Sequence, residues 1–150
     1  MHSRVVMKHK GSISQTYLTR DGVVIPNLYK RARQVAEYPT TVMHLFEIAA
    51  ELPVPQFYIS DDAARSYIRK RFLHKKKVTF RTKYKQRLFD AFYDEVDSMM
   101  KESKYQEMGL MNTVVCALMR PAPCVGLTPL AILQKYFKKR PKRDQILVAP

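Results

Sequence analysis

Acids, glycines and cysteines are scarce in this sequence, and each shortage closes off a kind of chemistry. Acidic residues number 13 against 27 Lys and Arg, which leaves a formal charge of +14 and a pI near 9.9. None precedes Asp21, and none lies between 69 and 87. The only glycines are Gly11, Gly22, Gly109 and Gly126, so no glycine-rich loop can cradle a phosphate. Cys116 and Cys124 are too few for a disulfide framework; both are expected to be reduced and packed. His2, His9, His44 and His74 are scattered, without His–Glu–His or Cys–His spacing, and no Ser/His/Asp arrangement can be assembled. No apolar run reaches the ~18 residues a membrane span needs. The basic first ten residues lead into no apolar core of the kind a secretory signal carries. The expectation is a cytoplasmic protein that is not an enzyme, takes no cofactor or metal and does not engage a membrane.

What the chain does have is enough apolar sequence for a core, 46% of 150 residues, in one domain or two small packed halves. It also has a stretch that occurs twice. Residues 52–60, Leu-Pro-Val-Pro-Gln-Phe-Tyr-Ile-Ser, return 68 positions later at 120–128 as Arg-Pro-Ala-Pro-Cys-Val-Gly-Leu-Thr. Pro53 matches Pro121, Pro55 matches Pro123, Ser60 matches Thr128, and the register continues from Ala49/Ala117 to Lys70/Lys138. A repeat of this kind points to a duplicated helical unit with a stiff elbow in its middle.

Along the chain, residues 1–12 read as a basic arm. Residues 13–26 hold the only plausible strands, 13–19 and 23–25, with Asp21-Gly22 suited to a tight turn between them; a β-hairpin is expected there. A helix follows over about 28–38, stopped before Pro39, and a second over about 41–52. Beyond the first elbow, Ser60 caps a third helix over 61–73, with Asp61 and Asp62 in its first turn. The His74-Lys75-Lys76-Lys77 run reads as a loop. Tyr84, Leu88, Phe92, Val96 and Met99 step at helical spacing through a fourth helix that starts at 79–82 and ends near 103. A nearly all-apolar fifth helix over 107–119 should be buried all round. Thr128 and Pro129 start a sixth, over about 129–140. The fold expectation is therefore mainly α: a duplicated helix-helix-elbow-helix unit of about six helices, 27–78 and 79–143, behind the hairpin, with a tail over 144–150.

The charge asks for a polyanionic partner, DNA or RNA. Ten Lys or Arg fall in 69–87 without an acid, and a second cluster spans 135–143. The expected phosphate contacts are Arg65, Arg69, Lys70, Arg71, Lys75, Lys76, Lys77, Arg81, Lys83 and Lys85, then Lys135, Lys138, Lys139, Arg140, Lys142 and Arg143. Tyrosines 29, 38, 58, 67 and 84 are interleaved with basic residues; Tyr67 and Tyr84 belong to core stripes, and Tyr58 is the candidate for stacking on a base. Residues 59–69 resemble the turn and recognition helix of many DNA-binding domains. However, the connection is longer than the roughly 3–4-residue turn, and Asp61 and Asp62 would face the phosphates. Asp90, Asp94 and Asp97 share a helix face, but no second element offers carboxylates to complete a cation site, so a solvated or self-paired face is expected.

The phrase Pro-Val-Pro-x-Phe-Tyr-Ile-Ser, with its weaker copy Pro-Ala-Pro-x-x-x-Leu-Thr, resembles one in small uncharacterised proteins of gut Bacteroidetes and their mobile elements. The resemblance covers two segments of about ten residues. It implies a role beside a phage, transposon or reverse-transcribing element and assigns no residue a task. The reading carried forward is a nucleic-acid-binding accessory protein. The rival is a structural or adaptor protein that meets a protein partner, or a second copy of itself, through the apolar 107–119 region or the tail.

Overall fold

The structure is a computed structural model that describes residues 14–138, and these are mainly helical. The arm 1–12 and the tail 144–150 lie outside the described residues, as do Lys139, Arg140, Lys142 and Arg143. The helices are α1 (Gln15–Thr19), α2 (Ile25–Val35), α3 (Val42–Glu51), α4 (Asp61–Ile68), α5 (Lys83–Met99), α6 (Ser103–Met108), α7 (Leu110–Leu118) and α8 (Pro129–Lys138).

The expected β-hairpin is not there. Ser14 caps α1 by accepting the Tyr17 amide, and the chain stays helical to Val35. Between α1 and α2 lies a π-helical turn, Arg20–Val24, in which the Ile25 amide reaches back five residues to the Arg20 carbonyl. The turn answers a local problem. Pro26 has no N–H to give, and its ring crowds the carbonyl four residues back; widening the helix just before it relieves that conflict. Burial explains why helix wins. Val24, Ile25, Leu28, Tyr29 and Ala32 are all buried and form one helical stripe, while Val23 is 65% exposed. The strand expectation rested on the β-branched and aromatic run 13–19 and on Val23-Val24-Ile25, but the buried stripe that Val24 and Ile25 begin has helical spacing.

Each elbow is extended because a residue before proline avoids the α region. Val54 lies between Pro53 and Pro55, and Ala122 between Pro121 and Pro123. In each Pro-x-Pro the middle residue alone has an amide to donate. Those two amides find each other: Val54 N–H donates to the Ala122 carbonyl, and Ala122 N–H to the Val54 carbonyl, both at 3.0 Å. The flanking prolines keep this pair from growing into a ladder, so it remains an isolated antiparallel bridge. Other bonds also repeat at the 68-residue spacing. Leu52 N–H to Ala49 O matches Arg120 N–H to Ala117 O. The Ser60 hydroxyl caps α4 by accepting from Ala63, and the Thr128 hydroxyl caps α8 by accepting from Ala131.

The elbows let the halves interlock. The helix before the first elbow, α3, packs on α8, and α4, which follows that elbow, packs on α7, so one apolar core runs through both halves. α5 crosses it with Leu88, Phe89, Phe92, Val96 and Met99 buried, and the Phe92 ring meets Phe57 edge-on at 5.2 Å. Helix ends differ from expectation in two places. α5 stops at Met99, short of 103. The single fifth helix over 107–119 is broken at Gly109, whose φ of +96° ends α6 and starts α7. Nor is α7 buried all round: Thr113, Val114 and Ala117 face the core, whereas Val115 and Met119 are exposed. Cys124 is buried, its thiol directed at the Tyr84 carbonyl, and burial pushes its pKa up.

Candidate nucleic-acid interface

After α4 the chain makes a second π-helical turn, Arg69–Leu73. Two amides close it, His74 N–H on the Arg69 carbonyl and Lys76 N–H on the Lys70 carbonyl at 2.9 Å. Between them Lys75 takes a left-handed φ of +56°, a conformation in which glycine or asparagine is at ease and lysine is not. The loop then runs to Thr82, whose hydroxyl caps α5 by accepting the Lys85 amide.

Dense like charge should scatter such a segment, yet it is tied to α5 at several points. Gln86 accepts from the Phe80 amide at 2.8 Å and donates to the Val78 carbonyl at 3.2 Å. It also donates to Asp90 at 3.1 Å. Asp90 in turn holds Arg71 at 3.1 Å, and Arg71 donates to the Tyr67 hydroxyl at 2.8 Å. The Arg71 guanidinium lies 3.9 Å from the centre of the Tyr93 ring. Burial, reinforced by Asp90 and opposed by Arg71, pushes the Tyr67 phenol up to about 12, so it remains a neutral donor and acceptor at physiological pH. The result is a groove of about 670 Å³ whose rim carries Lys75, Lys76 and Lys77, with Arg71, Gln86 and Asp90 inside.

The expected contact residues divide into two groups. Of the ten cations between 69 and 87, Arg71 is bound to Asp90 and Arg87 to Glu51. The remaining eight, Arg69, Lys70, Lys75, Lys76, Lys77, Arg81, Lys83 and Lys85, are exposed and have no carboxylate partner among the described residues. Lys83 and Lys85 hold their ammonium groups 5.3 Å from the ring centres of Tyr84 and Phe80. Three further candidates serve the scaffold. Arg71 organises the groove, Arg65 sits 3.1 Å from Asp61 on its own helix, and Lys135 reaches Asp21 at 3.3 Å. Lys138 is exposed at the end of α8.

Tyr58 needs correction. It is 5% exposed and packed in the core, so no base can reach its ring. Phe57, Tyr58 and Ile59 follow one another along an extended elbow that is covered on both sides, and all three are buried. Sequence reasoning missed Gln86 and Tyr93 as the residues that shape the groove. Their one signal is position, for Gln86, Asp90, Tyr93 and Asp94 recur at helical spacing along α5. Asp90 is self-paired, as is Asp97 with Lys101, and among the described residues no group of three or more His, Cys, Asp or Glu could hold a metal ion. No helix among them is long and apolar enough to cross a membrane.

Fold and surface together define a helical protein with an ordered cationic loop and groove. No family model, curated protein or solved structure matches the chain.

Proposed function

We propose that this is a non-enzymatic, cytoplasmic nucleic-acid-binding accessory protein that grips phosphates through the 69–85 segment. One observation carries the reading: of eight exposed cations without carboxylate partners among the described residues, six sit on a turn and loop that the Gln86–Asp90–Arg71 network keeps in shape, and Lys83 and Lys85 sit on the first turn of α5 beside them. A merely solvated basic face has no need of such a brace, nor of a lysine at the left-handed position 75. Exposed Lys138 on α8 extends the same chemistry, and the sequence beyond it adds Lys139, Arg140, Lys142 and Arg143.

The frame, on this reading, is a duplicated unit, and the reciprocal Val54–Ala122 pair joins residues equivalent under the 68-residue register. A two-fold relation places such partners opposite each other, on its axis. The elbow phrase points to service beside a phage or other mobile element. Purified, nuclease-treated protein should shift both DNA and RNA in gels, and lose affinity steeply between about 50 and 200 mM salt. Affinity indifferent to salt would refute the phosphate mechanism.

The rival reading, a structural or adaptor protein, draws on α6 and α7. Met108 on α6, Val115 on α7 and Met119 just after it are 39%, 43% and 65% exposed. A chain that needs a protein partner to stay in solution, and that ignores nucleic acid, would favour that reading.

A further inference from the structure

A second groove, on different elements, lies where α2 meets α8. It encloses about 960 Å³ and presents Asn27, Tyr29, Lys30, Gln34, Tyr38 and Tyr136. Tyr29 forms its floor: the ring stacks on Phe46 at 4.9 Å and 20°, and the Tyr136 ring lies 4.4 Å away. Tyr38, half-buried, is held at one side by its hydroxyl, which donates to the Arg33 carbonyl at 2.9 Å. Among the described residues, exposed Lys30 has no carboxylate partner and no carboxylate lines the groove. Asn27 and Gln34 leave exposed amides at the mouth.

The combination narrows the occupant. Aromatic faces take a flat ring or an apolar side chain, while a nearby ammonium in a wall free of acids selects for attached negative charge. Side-chain amides can read the donor and acceptor edge of a base. A ring, an edge and an anion together describe a nucleotide. In a duplex the base faces are already stacked on one another and cannot enter a cleft between two helices. We propose that this groove stacks an unpaired base of single-stranded DNA or RNA. The inference rests on the nucleic-acid reading above and adds a preference for single strands to it. It also moves the stacking role from Tyr58 to Tyr38 and Tyr136, both of which line the groove.

The test compares an unstructured oligothymidine with a blunt duplex of equal phosphate count, using the full chain. Tyr38→Ala should weaken oligothymidine about tenfold, the worth of one stacked base, and leave the duplex unchanged. Tyr38→Phe keeps the ring and should retain both affinities. As a readout independent of whether Tyr38→Ala folds, the wild type is also photocrosslinked to oligothymidine carrying a halogenated base, and the adduct mapped by mass spectrometry. Adducts on Tyr38 or Tyr136 support the proposal. Adducts confined to 69–85, equal loss of both ligands in folded Tyr38→Ala, or capture of a proline-rich peptide in place of the oligonucleotide would overturn it. A chain that binds the duplex in a salt-dependent way but gives no groove adduct fails this inference alone; one that binds neither ligand fails the phosphate mechanism as well.

Discussion

Gly126 is the tightest joint in the frame, and substituting it tests how the second elbow is seated. Its φ is +86°, and a Cβ built there would stand 2.5 Å from Leu88 Cδ2 and 3.2 Å from Leu88 Cβ. Two costs therefore combine in Gly126→Ala. The left-handed backbone penalises any side chain by about 1–2 kcal/mol. Driving a methyl into a packed leucine adds about 1–3 kcal/mol. Gly109 is a natural control: its φ is +96°, but nothing lies within 4 Å of its missing Cβ, so Gly109→Ala carries the backbone term alone. Leu88→Ala supplies the second axis. It is costly by itself, about 2–5 kcal/mol for a leucine only 3% exposed, but it removes the atom in the way. Urea unfolding followed by helical circular dichroism gives the four free energies of the Gly126/Leu88 cycle. The two substitutions should be sub-additive by about 1–3 kcal/mol. Additivity within about 0.5 kcal/mol would show that the elbow does not press on α5, and the seating described above would be wrong.

Three other outcomes follow from the geometry. Ala122→Pro deletes the amide that reaches Val54 and leaves a carbonyl without its donor, so it should destabilise by about 1–3 kcal/mol in the same urea assay; unaltered stability would mean the bridge contributes nothing. Asp21 is held by Arg20 at 2.8 Å and by Lys135 at 3.3 Å. Burial works against its charge, but the two cations outweigh burial, so its pKa lies below the ordinary 3.8. A carboxyl depressed on folding contributes stability above its unfolded pKa and loses it as pH falls through the lower folded value. Asp21→Asn should therefore lower Tm at neutral pH and flatten the fall of Tm with acid below about pH 4, and equal acid profiles for the two proteins would contradict this. Gln86→Ala should leave the fold intact and free the 78–80 loop, seen as faster amide exchange at Phe80; unchanged protection there would remove the brace from the account.

Much of the frame was readable because its signals are local. Ser60 and Thr128 each carry a cap that needs only the residues next to it, and both caps form. The Leu88, Phe92, Val96 and Met99 stripe needs only a period, and all four are buried. The errors arose where a distant partner decides. Residues 15–24 look strand-like in isolation, but Tyr17 accepts the Ser60 amide at 3.1 Å across 43 positions, and Val24, the one buried residue among them, begins the α2 stripe. The break at Gly109 depends on a backbone angle that an apolar run does not announce. For the candidate site, the eight unpartnered cations were legible as a charge run. Their brace was not, since Gln86 and Tyr93 look ordinary until the loop folds back on them. Tyr58 stood out by its basic neighbours and proved to be core, while Tyr38 was noticed and passed over.

The central claim is that the ordered cations of the 69–85 loop neutralise phosphates. Its most direct measurement is the slope of log affinity against log salt for a fixed duplex, taken for the wild type and for the Lys75→Gln/Lys76→Gln/Lys77→Gln triple variant. Each lost phosphate contact should reduce the slope by about 0.9, so the variant should be shallower by up to about 3 at unchanged helical content. Identical slopes for the two proteins, or a wild-type slope near zero, would contradict the account.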